Sequence, residues 1–322
     1  MPALPLPRSG AALRALGLPA RDAHDLPDSP RRFPDGGQWR VEIPSVEGPD
    51  AFETVLKEAA ARDVPVHRIS QGSGVWLQTD AELDRMADLG RGHATEVVLF
   101  TGPRGGWDTG VQATAGSGRV VAGALRGADQ LAFALEDVLR AADHGIDGVL
   151  VADLGQLSVL GRMRGAGDLP DDFVLKVSIS LPVANPATAR VLEDLGASSL
   201  NLPVDLPLAA IAAIRAAVEV PLDVYVEAAD DFGGTVRHYE VADLVRVAAP
   251  VYLKYTVRNA PGTYPSGLHL RGTVLALAAE RVRRAELGLG LLRRYHPQAR
   301  PSPRPAVAAG APAATPSAEV GT

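Results

Sequence analysis

Two rhythms of apolar positions alternate along the chain. Short runs rich in Val, Ile and Leu read as strands: RVEIP (40–44), VHRIS (66–70), EVVLFT (96–101), GVLVAD (148–153), VLKVSIS (174–180), SLNLP (199–203), LDVYVEA (222–228) and VYLKYTVR (251–258). Stretches with helical spacing follow them at 49–62, 80–92, 128–145, 154–167, 186–196, 206–218, 241–249 and 268–294, several opening after Asp or Pro and closing on Gly. Eight strand–helix units of about 30 residues each predict a single (β/α)8 TIM barrel over residues 38–296. A flavodoxin-like sheet would use only about five or six.

Alternation within the strands says which side chains enter the barrel, because the face covered by helices must be apolar. In VLKVSIS, Leu175, Val177 and Ile179 belong outside, and Lys176, Ser178 and Ser180 inside. The same rule sends Asp223, Tyr225 and Glu227 inward on the seventh strand and Tyr252, Lys254, Thr256 and Arg258 on the eighth. It does likewise for Arg40 and Glu42, Arg68 and Ser70, and Ser199 and Asn201. Asp153 and Thr101 end the fourth and third strands, where barrel enzymes place reactive groups. Unpaired buried charge is costly, so a lumen this polar is expected to hold a ligand, with Arg40 and Asp223 closing the floor.

Loops at the mouth add chemistry. SQGSGVW (70–76) and TGPRGGWDTG (101–110) are glycine-rich and match no phosphate-loop or nucleophile-elbow pattern. Arg104 is expected to bind a carboxylate or phosphate and Trp107 to cover it. EAADDFGGTVRHYE (227–240) reads as a lid carrying Asp230, Asp231, Arg237 and His238, and RNAPGTYPSG (258–267) carries Arg258, Asn259, Tyr264 and Ser266. The expected catalytic groups are Glu227, Lys254, Asp153 and Lys176. Substrate contacts are assigned to Glu42, Arg68, Ser70, Thr101, Arg104, Trp107, Asn201, Tyr225 and Arg258. No metal ligand set is assigned, although Glu42, Asp153 and Glu227 together would suit a hard cation such as Mg2+. A Schiff base at Lys254 or Lys176 is the amine alternative. His67 has outward parity and reads as packing, and His93 and His144 fall at helix ends.

Composition narrows the classes. The chain has no cysteine, which removes disulfides, thiolate nucleophiles and cysteine-ligated clusters. A net charge of -6 with scattered arginines predicts no nucleic-acid partner. The N-terminus lacks a secretory apolar core, and no stretch is apolar enough for a membrane span, so a cytoplasmic protein without membrane contact is expected. Residues 1–37 read as an arm over the barrel, and Pro/Ala-rich residues 297–322 as a disordered, dispensable tail.

LDVYVEAADDFGG and the opening RVEIPSVEGPDAFETVLKEAA resemble a divergent actinobacterial branch of the collagenase-like peptidase family of unassigned mechanism, over roughly residues 38–296. In that family a strand of similar pattern ends in His-Gly, followed by cysteines. Here Glu227 takes the His position. The resemblance implies a barrel-like fold and a peptidase-type hydrolase. The residues themselves point to an enzyme of small-molecule metabolism acting on a polar or anionic substrate. A lyase or isomerase assisted by a metal or a lysine, and a non-catalytic barrel binding a metabolite or protein, are the alternatives. A small-molecule partner is expected, and a homo-oligomer is left open.

Overall fold

The computed structural model describes residues 7–15, 25–104 and 123–303. Eight parallel strands close into a barrel in sequence order: β1 (Trp39–Pro44), β2 (Val66–Gln71), β3 (Glu96–Phe100), β4 (Gly148–Val151), β5 (Val174–Val177), β6 (Ser199–Asn201), β7 (Leu222–Glu227) and β8 (Val251–Tyr255). β8 pairs back onto β1 through Arg40–Tyr252 and Glu42–Lys254. A short helix α1 (Pro7–Ala15) precedes the barrel. The helices around it are α2 (Pro49–Ala61), α3 (Asp80–His93), α4 (Gly127–Asp143), α5 (Leu154–Ala166), α6 (Pro186–Asp194), α7 (Leu208–Ala217), α8 (Val241–Ala248) and α9 (Arg271–Tyr295). The TIM barrel expected from the alternation is therefore the fold observed.

Local chemistry explains the element starts. Thr79 and Glu82 form a reciprocal capping box on α3, and Asn185 and Asp153 cap α6 and α5 by accepting from Thr188 and Gln156 backbone N–H groups. Outward side chains such as Val41, Ile69, Val97, Leu175, Leu222 and Leu253 pack with the helices into one continuous core. A second, separate cluster of Val98, Phe100, Leu150 and Ala152 lies apart from it on β3 and β4.

The segment just before β1 and the residues after α9 meet at the floor. Ser29 donates its backbone N–H to Arg246, and Phe33 sets its ring edge-on to Tyr252 at 5.4 Å. The expectation of a tail free from Pro297 onward needs correction at its start. The Arg300 N–H donates to Gln38 Oε1, and the Ser302 N–H to the Trp39 carbonyl at 3.0 Å. The start of β1, ahead of its pairing with β2 at Val41, has free backbone groups, and this short piece bridges to Trp39 there. Residues 304–322 lie outside the described residues. His67 belongs to the same corner: its Nδ1 accepts the Val41 N–H where the β1–β2 register shifts, and its Nε2 faces the Ser302 carbonyl at 3.0 Å. It is a structural residue, as its parity indicated. No helix among the described residues is long and apolar enough to cross a membrane.

Candidate functional site

The lumen is wired from the floor upward. Arg40 donates to Tyr252 Oη (3.0 Å), Ser302 Oγ (2.9 Å) and Asp35 (2.9 Å), which keeps it in the bottom plug. Above it, Arg68 lies 3.6 Å over the Tyr252 ring, pairs with Glu96, and donates to Asp223 at 3.1 Å. Lys176 bridges Glu42 and Asp223, the latter at 3.0 Å. Ser70 donates to Glu42 at 2.7 Å, and Ser199 to Asp223 at 2.9 Å. Each of these charges has an opposite partner in a medium where an unpaired one would be costly.

The titration behaviour follows from that wiring. Burial alone would raise the Glu42 pKa, but Lys176, Lys254 and Arg68 hold it well below the carboxylate range. Lys176 is pulled down by burial against the opposing pull of Asp223 and Glu42. Carboxylates stabilised in this way are weak bases, and the network closes the barrel rather than reacting. Glu42, Arg68 and Lys176 belong to this plug and do not line the cavity above it.

That cavity, about 500 Å³, opens at the C-terminal mouth. Ser70, Asn201, Tyr225, Lys254 and Arg104, all expected as site residues, line it, together with Ser178 and Ser180. Lys254 is 1% exposed, with Nζ 3.4 Å from Glu42 Oε1 and 4.3 Å from the centre of the Tyr225 ring. Burial and nearby Glu42 raise the Tyr225 pKa, so its phenol keeps its proton. Arg104 stacks 3.9 Å over Phe100 and donates to the Gly72 and Ser73 carbonyls at 2.9 and 2.8 Å. Ser45 follows β1 with a left-handed φ of 60°, costly for a non-glycine residue, which turns its hydroxyl onto Tyr264. The Tyr264 ring lies where any Cβ at position 72 would stand, so that position requires glycine.

Four expected site residues face elsewhere. On β3 and β4 the inward positions are Val98, Phe100 and Leu150 with Ala152 beyond, so Thr101 and Asp153 have the opposite parity. Thr101 Oγ1 donates to Gln156 on α5 at 3.2 Å, and Asp153 caps that helix while accepting the Leu125 N–H. Glu227 follows a bulge between Tyr225 and itself that aligns it with Tyr255 instead of Thr256. Its carboxylate meets His238 at 2.9 Å, the Arg258 N–H at 2.9 Å and Arg284 of α9 at 3.6 Å. These partners lower its pKa against the effect of burial. The Arg258 side chain is exposed and lies 3.4 Å from Asp230. Glu42, Asp153 and Glu227 thus do not meet, and the cation set drawn from them is not assembled. Trp107 and Asp108 fall outside the described residues.

Sequence reasoning missed the apolar wall. Phe100, Leu150, Ile179 and Phe232 line the cavity together with the polar Ser70, Asn201 and Lys254; Ile179 does so against its expected outward parity, because β5 ends at Val177 and the alternation does not carry past it. EVVLF and GVLV are apolar on both faces, so polarity gave no sign of which side pointed in. Among the described residues lining the cavity, Lys254 carries the only primary amine. The whole chain has three lysines, Lys57, Lys176 and Lys254, against a combined Lys and Arg count of 32.

The family model described as "Peptidase family U32" matches residues 120–230, about a third of the chain, in agreement with the resemblance read from the strand patterns. No curated protein matches the sequence. Among solved structures, a U32 peptidase is similar at 20% identity with a TM-score of 0.38, over 61% of this chain and 72% of that one. A 3-hexulose-6-phosphate synthase is similar at 16% identity with a TM-score of 0.42, over 77% of this chain and 99% of that one. A 4-hydroxy-2-oxoglutarate aldolase is similar at 12% identity with a TM-score of 0.39, over 79% of this chain and 94% of that one.

Proposed function

We propose that this chain is a small-molecule enzyme that holds an anionic carbonyl compound in the barrel mouth and reacts it at the Lys254 amine. The observation that carries the reading is the placement of Lys254. A chain that otherwise relies on arginine puts one of its three lysines, nearly fully buried, at the polar wall of the cavity. Arginine would serve charge pairing there as well or better, whereas only an amine can become a nucleophile.

The derived chemistry is that of a lyase or isomerase. Lys254 Nζ attacks the substrate carbonyl carbon, the carbonyl oxygen leaves as water, and a protonated imine remains that draws electrons from the neighbouring bond. Glu42, 3.4 Å from the amine, orients it, and Tyr225 retains a proton to donate. Arg104 adds positive potential that attracts a carboxylate.

The test uses pyruvate, a small 2-oxo acid, with borohydride. Reductive trapping should add mass to the peptide containing Lys254 and should fail in Lys254→Met. Absence of label on Lys254 at saturating pyruvate would count against the amine chemistry.

Hydrolysis of a peptide or amide bond is the second reading, favoured by the U32 family match. The serine that joins the network to the cavity, Ser70, donates its proton to a carboxylate held far below the usual range, a poor arrangement for activating a nucleophile. Turnover of a fluorogenic dipeptide that is lost in Ser70→Ala would favour this reading over the first.

A further inference from the structure

Asn201 ends β6 with its side chain 1% exposed, lines the mouth cavity, and its Oδ1 has no hydrogen-bond partner. A buried carbonyl oxygen left this way is disfavoured unless something supplies a donor. The Asn201 amide opposes the rise that burial imposes on the Tyr225 phenol pKa, and the Tyr225 ring lies under Lys254 at 4.3 Å. Asn201, Tyr225 and Lys254 therefore stand side by side on β6, β7 and β8, with one acceptor of the three unspent.

Across the cavity, β3 and β4 present Phe100 and Leu150. Both belong to a small apolar cluster separate from the main core, while Ile179 and Phe232 reach the cavity from a third cluster that they form with Val204, Tyr225 and Ala228. A purely polar ligand would leave this wall wet, and a purely apolar one would leave Asn201 Oδ1 without a donor. The cavity volume of about 500 Å³ fits a compact molecule rather than a polymer.

Resting on the reading of this mouth as a site for small anionic compounds, we propose that Asn201 is the specificity-determining residue of the cavity. Its ligand is an amphipathic carboxylic acid with a hydroxyl next to the group that Lys254 meets. The hydroxyl donates to Asn201 Oδ1, and the aliphatic part lies on Phe100, Leu150 and Ile179. Sites built to bond a hydroxyl reject the analogue lacking it far more strongly than apolar pockets sort methylene groups.

Two probes that share a carbon skeleton isolate the claim: 2-hydroxy-4-methylpentanoate and 4-methylpentanoate, titrated calorimetrically into the full chain. The hydroxy acid should bind at least about tenfold more tightly, and in Asn201→Ala that preference should fall to within about threefold. Asn201→Ser, which retains a smaller acceptor, should keep part of the preference, and both variants are checked for an unchanged melting profile. If the wild-type chain binds the two acids equally, the role of Asn201 is overturned while the carboxylate site stands. If it binds neither, the reading of the mouth falls and the inference with it. Since the wild-type comparison needs no variant, a misfolded substitution leaves the claim decidable.

Discussion

The floor and the mouth of the same barrel use similar side chains to opposite ends. Below, Arg68, Lys176, Glu42 and Asp223 are each matched with opposite charge, and two serines donate to the carboxylates. Above, Lys254 has one carboxylate at the longer distance of 3.4 Å and an aromatic face, while Asn201 Oδ1 has nothing. Saturated wiring stabilises and cannot easily change its protonation, whereas incomplete wiring waits for a ligand. Burial is common to both regions, so burial alone does not mark the site. The difference lies in which polar atoms are left over.

The largest effect should come from breaking the floor. Asp223→Asn removes a charge that faces both Arg68 and Lys176, and urea unfolding should show a loss of about 3–5 kcal/mol. Lys254→Met should cost about 1–2 kcal/mol at most, because Glu42 keeps Lys176, Arg68 and Ser70. Equal losses in the two variants would erase the distinction between floor and mouth.

A smaller effect is expected from the chain's end. A chain stopped after Pro303 should melt like the full one, while one stopped after His296 should lose several degrees, since the hydrogen bonds of Arg300 and Ser302 to the floor go with it. Calorimetry of the two truncations separates them.

Asp137 sharpens the comparison through pH. It is half-buried on α4 and accepts the Gly102 N–H at 3.2 Å, and burial raises its pKa to about 6. Glu42, with lysines beside it, moves the other way. For Asp137 the folded state binds the proton more tightly than the unfolded chain, whose carboxyl titrates near 3.8. Its contribution is therefore most favourable below about pH 4 and is lost as pH rises through about 6. The melting temperature of wild type relative to Asp137→Asn should fall over that window, by the equivalent of on the order of 1 kcal/mol after solvent screening. A flat difference would show the carboxyl to be solvated.

The fold was open to reading because both periodicities are clean, and the element ends observed fall within about three residues of those expected. The lumen was readable wherever a strand alternated. Lys176, Lys254, Tyr225 and Asn201 point inward as their parity demands. Three kinds of information were not available in the pattern. EVVLF and GVLV carry no polarity contrast, which hid the apolar wall and mistook Thr101 and Asp153 for mouth residues. The bulge in β7 shifts parity at Glu227 alone, and nothing in LDVYVEA announces it. Depth was hidden too: Glu42 and Asn201 share an inward parity, yet one is locked in the floor network and the other faces the cavity. A Glu227→Gln variant should accordingly leave trapping at Lys254 unchanged, because its carboxylate is engaged with His238, Arg258 and Arg284 outside the cavity.

The chain's three lysines allow a direct test of the central claim, because each occupies a different environment: Lys57 exposed on α2, Lys176 sealed in the floor, and Lys254 at the cavity. Peptide-resolved mass spectrometry after treatment with pyruvate and borohydride at neutral pH reads all three at once. Label concentrated on Lys254, with Lys176 unmodified and Lys57 only at the level of a denatured control, is the predicted result. Label on Lys57 alone, or equally on Lys57 and Lys254, would contradict the assignment of the barrel mouth as a reactive amine site.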